Sequence, residues 1–108
     1  MTIKWVKVDP LVLNGEPFCY GSRVTVRELL ELRAAGQTPT AIVKDHPELK
    51  PLGIATAYVY AAEHRERYAD FLEKDGSLAG PGYTEAEAGA LPPHLRVPGV
   101  VVKAGLPA

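Results

Sequence analysis

Five side chains have the chemistry to touch a nucleic acid: Arg23, Arg27, Lys50, Thr56 and Tyr60. Arg23 and Arg27 flank the start of the helix-like stretch T-V-R-E-L-L-E-L-R, where guanidinium groups can meet phosphates. Lys50, Thr56 and Tyr60, together with Gly53 and Glu63, share one face of the next long helical run. That is the face a recognition helix would turn toward the major groove. Base reading favours Arg, Lys, Asn and Gln, and Lys50 alone on this face is one of them. Structural readings stand beside each: Arg23 as a tie between arm and helix, Arg27 as part of a solvated face.

Other reactive side chains form no constellation. His46, His64 and His94 share no metal-ligand spacing with one another or with Cys19. Cys19 sits in a strand-like F-C-Y and reads as a small buried hydrophobe. No glycine-rich phosphate loop occurs. The chain therefore reads as a non-enzyme with no cofactor, no metal and no evident small-molecule substrate.

Charge argues against a strong grip on nucleic acid. The 108 residues carry a formal net charge of −1. Residues 20–74 hold eight Lys/Arg and eight Asp/Glu, so phosphate neutralisation and its salt dependence should be weak. Apolar residues at 46% and charged residues at 23% suit a folded domain. A lone cysteine, and no run with the length of a membrane span or the pattern of a secretory signal, lead us to expect a cytoplasmic protein.

Local signals place these residues on elements. Residues 3–20 read as a hairpin-like arm of short strands (3–8, 11–13 and 18–20) around the Asn14-Gly15 turn. The first helix opens at Thr25, whose spacing to Glu28 is that of a capping box. Val26, Leu29, Leu30 and Leu32, extended by Ala34 and Ala35, form its apolar stripe, and Gly36 offers a left-handed stop. Thr38-Pro39 starts a second helix with Ala41 and Ile42 facing inward, and Pro47 ends it. Leu49 reads as a buried plug. The third helix is expected from Pro51 to Lys74, about 35 Å at 1.5 Å per residue, with Glu63–Arg67 and Asp70–Lys74 as supporting pairs. Its first turn lacks a capping side chain, and Gly53 weakens it by up to about 1 kcal/mol. Residues 76–108 are rich in glycine and proline. There Thr84–Glu87 suits one helical turn, Val100–Val102 suits a strand, and no second core is evident.

N-G-E-P at 14–17, Y-G-S-R-V-T-V at 20–26, Gly36, D-H-P-E-L at 45–49 and A-Y-V-Y-A-A at 57–62 occur in one order and spacing. Together they resemble the small bacterial and archaeal family known as "domain of unknown function 433", over about residues 5–70. The resemblance implies a homeodomain-like three-helix core behind a short β arm. Several members resemble antitoxins encoded next to PIN-like ribonuclease toxins, which carry an acidic metal site. On that reading Arg96, between apolar neighbours, would enter the toxin's site, and Val100, Val101 and Val102 would add a strand to a sheet edge. The alternative is a tail that folds back over its own helices or stays loose.

The sequence thus predicts a mainly α protein: a helix-turn-helix core with a short N-terminal β arm (residues 1–75) and an irregular C-terminal tail (76–108). The expected function is an antitoxin-like regulator, with homodimerisation, operator DNA and a PIN-like toxin as its partners. The competing reading is an interaction or assembly module that does not bind DNA.

Overall fold

A computed structural model describes residues 5–103. The arm is a two-stranded antiparallel sheet, β1 (Val6–Lys7) and β2 (Phe18–Cys19), with Val6 opposite Cys19 and Lys7 opposite Phe18. The strand expected at 11–13 is absent. The Asp9 carboxylate accepts the Leu11 N–H at 2.9 Å, and its carbonyl accepts the Val12 N–H at 2.9 Å. This side-chain turn diverts the backbone from extended geometry, and a 3₁₀ turn follows at Leu13–Gly15.

Helix α1 (Val26–Ala34) begins with the expected reciprocal cap between Thr25 and Glu28. Gly36 ends it at φ +102°, with its N–H on the Arg33 carbonyl and that of Gln37 on Leu32. Its buried face is Val26, Leu29, Leu30 and Arg33, whereas Ala34 and Ala35 are exposed. Helix α2 (Pro39–Asp45) is capped by Thr38 and stops before Pro47; Ile42 is buried and Ala41, expected inside, is exposed. Leu49 is fully buried.

Helix α3 (Lys50–Glu63) is shorter than the 24-residue run expected. The His64 ring nitrogen Nδ1 bonds the Tyr60 carbonyl at 2.8 Å, and its ring stacks on Tyr60 at 4.0 Å. His64 itself leaves helical geometry at φ −121°, ψ +57°. The chain then turns to bury Tyr68 completely before a 3₁₀ turn at Ala69–Phe71. Neither expected i,i+4 pair forms; Arg67 meets Glu16 at 3.4 Å instead. Gly53, Ile54, Ala55, Ala57, Tyr58 and Ala61 are all buried, so more than half of the circumference of α3 is covered, while Leu52, Thr56, Val59 and Tyr60 are half-buried and Glu63 is exposed.

Residues 76–103 supply part of that cover. They are irregular apart from one capped turn, α4 (Glu85–Ala88) after Thr84, but they are not loose. Leu78, Tyr83, Ala88, Leu91, Leu95, Val100 and Val101 join the same core as the helices. The Tyr83 N–H donates to the Val101 carbonyl at 2.7 Å and the Lys103 N–H to the Tyr83 carbonyl at 3.1 Å, an isolated bridge rather than the strand expected at 100–102. Where the sequence suggested no second core, the segment extends the first as a strap.

Gly80 lets the strap lie down on α1. It adopts φ +89°, and a Cβ there would run into the Arg33 carbonyl. Gly36 also has positive φ, but a Cβ there meets nothing. Gly36→Ala should therefore cost about 1 kcal/mol of backbone strain, and Gly80→Ala several-fold more, read as a much larger fall in Tm. Equal falls would mean the strap can lift from α1 without loss.

Candidate functional site

The five residues expected to meet nucleic acid are in unequal states. Arg23 is exposed and Lys50 is exposed. Arg27 is committed: its Nη2 donates to the Arg67 carbonyl at 3.0 Å while the guanidinium lies over the Tyr68 and Phe71 rings, at 5.3 and 5.8 Å. The Thr56 hydroxyl donates to the Leu52 carbonyl within α3 at 2.8 Å. Tyr60 is half-buried between His64 and Tyr68. Gly53 is covered by the Trp5 ring, 3.3 Å from where its Cβ would be. On the face expected to read bases, the arm thus covers Gly53 and Thr56 is bonded within its own helix, while Lys50 and Glu63 stay exposed.

The strap residues behave similarly. Arg96 is exposed, yet its Nε and Nη2 donate to the Leu91 and Gly89 carbonyls at 2.9 and 3.2 Å. Val100 and Val101 are buried in the chain's own core and Val102 is half-buried. The three valines are thus placed as packing groups.

Between α2, the start of α3 and α4 lies a groove of about 660 Å³, lined by Thr40, Lys50, Leu52, Tyr83, Glu87 and Leu91, among others. The Tyr83 hydroxyl spans it to the Pro51 carbonyl at 2.8 Å, and the Thr40 hydroxyl donates to Glu87 at 2.6 Å. Lys50 enters α3 at φ +59°, ψ +152°, a region that side-chain-bearing residues rarely occupy.

Arg33 is the side chain that sequence reasoning missed. It is 0% exposed, at the end of α1, with Nη1 on the Val100 carbonyl and Nε on the Gly80 carbonyl at 3.4 Å. Its guanidinium stacks 4.5 Å above the Tyr58 ring. Burial lowers its pKa, and the neighbouring Tyr58 oxygen opposes that shift. The same burial pushes the Tyr58 phenol up to about 12. A signal was available, because Val26, Leu29, Leu30 and Arg33 follow the i, i+3, i+4, i+7 spacing of one buried face. Burial also pushes the Cys19 thiol up to about 12, so it is held protonated, as fits a packed hydrophobe. Among the described residues no cluster of His, Cys, Asp or Glu is placed to hold a metal, and no helix is long and apolar enough to cross a membrane.

Residues 6–61 match the model of a family described as a protein of unknown function, DUF433. The chain belongs to the DUF433 family. No curated protein and no solved structure matches it. The DUF433 match ends within α3, so the strap over residues 76–103 lies beyond it.

Two outcomes test the groove. Strain at Lys50 should be relieved by glycine, so Lys50→Gly should stabilise the domain by about 1 kcal/mol in denaturant titration; a loss of stability would refute the strain. The Thr40 hydrogen bond, then the Thr84 backbone N–H, holds the Glu87 carboxyl below its ordinary 4.5. A lowered folded pKa gives stability that is present above that ordinary value and lost as pH falls through the folded one. Thr40→Ala should therefore be destabilising at pH 6 and nearly neutral at pH 2.5; a penalty independent of pH would assign the effect to packing.

Proposed function

We propose that this DUF433 domain is an interaction module that works through its β arm, and that its first partner is a second copy of itself. The observation that carries this reading is the location of exposed apolar surface. Val8, Leu11 and Tyr20 are 57%, 95% and 49% exposed, and all three belong to the arm. The helices, by contrast, expose no large hydrophobic side chain. A sheet of two short strands is marginal alone, and pairing with a second arm would widen it while removing apolar surface from water. Charge balance across the core fits the same reading.

The second reading, an antitoxin-like regulator, is favoured by the exposed cations Arg23 and Lys50 and by the family resemblance. On that reading the dimer would hold operator DNA, and a PIN-like toxin would bind around Arg96 on the strap. The cytoplasm is the compartment proposed for either function.

Sedimentation equilibrium from about 1 to 200 µM distinguishes them when combined with DNA anisotropy. A dimer that Leu11→Glu converts to a folded monomer is the expected result. A wild-type chain that stays monomeric throughout would overturn the arm-mediated module. Sequence-preferring binding to DNA from upstream of its own gene, weakened by Arg23→Ala or Lys50→Ala, would favour the regulator.

A further inference from the structure

The groove between α2, the start of α3 and α4 joins an apolar lining to two opposite charges. Leu52, Tyr83, Leu91 and Pro92 supply the apolar part, while Lys50 on α3 and Glu87 on α4 supply one charge each. Among the described residues neither charge forms an ion pair, with the other or with any third group. Both are nevertheless held in place. The Glu87 carboxylate accepts from the Thr40 hydroxyl at 2.6 Å and from the Thr84 N–H at 2.9 Å, which keeps it ionised at neutral pH. Lys50 is fixed through its backbone, at φ +59° and ψ +152°. Strain of this kind persists only where the surrounding fold over-determines it, and it gathers at ligand clamps. Glycine would adopt the same backbone at less cost, so folding alone does not account for a lysine at this position.

Size and charge together define a ligand. The volume of about 660 Å³ falls within the range of small-molecule sites, roughly 300–1,000 Å³. An apolar lining calls for an apolar body. A cation and an anion on separate elements call for opposite charges at the two ends of that body. A free amino acid carries both of its charges on one carbon, which suits a single ion pair rather than two separate ones. In an extended peptide of about three residues the terminal ammonium and carboxylate stand roughly 10 Å apart, with side chains between them. We propose that the groove binds a short free peptide with apolar side chains, its carboxylate toward Lys50 and its terminal ammonium toward Glu87. No arm residue lines the groove, so this site is separate from the proposed dimer contact.

The probe is the tripeptide leucyl-alanyl-leucine in four forms: free, N-acetylated, C-amidated and doubly blocked. Each is titrated into the full chain and followed by amide NMR shifts. The free peptide should give saturable shifts centred on Leu52, Tyr83 and Leu91. Near-surface ion pairs are worth up to about fivefold in affinity, so amidation and acetylation should each weaken binding by about that factor. Lys50→Met should lose the amidation effect alone, and Glu87→Gln the acetylation effect alone, with the fold of each variant read from the same spectra. Lys50→Gly should behave as Lys50→Met does, which keeps the criterion usable where Lys50→Met is unstable. Absence of saturable shifts at the groove would overturn the proposal. So would undiminished binding of the doubly blocked peptide, or an amidation effect that survives in both Lys50 variants.

Discussion

The breadth of the apolar face on α3 governs the rest of this structure. Its buried set runs through Gly53, Ile54, Ala55, Ala57, Tyr58 and Ala61, which spans more than half of the circumference. Two short helices cannot enclose such a rod. The β arm covers its first turn through Trp5, and the strap covers it through Tyr83. Each appendage has little regular structure of its own, and each is held by the apolar surface it hides. A helix-turn-helix outline is therefore present while the third helix, which in DNA readers presents side chains to a groove, is the hub of the core.

Arg33 is the price of attaching the strap to α1. Burying a guanidinium is unfavourable unless its donors are met, and two of the acceptors are strap carbonyls rather than side chains. Backbone carbonyls give the contact directional character without drawing on a side chain of residue 100, while residue 80 must be glycine for the approach itself. The Tyr58 ring beneath the guanidinium adds a cation–π contact that is stronger away from water. Polarity inside the core thus specifies how the strap lies, whereas the surrounding valines and leucines mainly supply burial.

Signals that act over three or four residues were legible in the sequence. Thr25 with Glu28, Thr38 with Pro39, Gly36 and Pro47 mark helix ends in the structure where elementary capping chemistry puts them. The end of α3 was not legible, because apolar periodicity continues through Tyr68 and Leu72 while the His64 ring captures a carbonyl beside it. The strap was legible in composition but not in placement. Irregular segments have no period to read, and their burial depends on partners 30 or more residues away, as with Tyr83 and Pro51. Arg33 lies on the buried stripe in plain view, and its charge alone argues against placing it inside.

The separation of Arg33 from its acceptors bears on how the chain matures on the ribosome. Its carbonyl partners lie 47 and 67 residues downstream. At about 5–20 residues per second, the nascent chain waits about 3–13 s before residue 100 exists. During that interval α1 can cap and coil but cannot bury its last turn, since doing so would strip water from a cation with nothing to replace it. The first helix to be synthesised is thereby the last to be sealed, and an accidental early collapse around it is discouraged by the same charge that later fastens the strap.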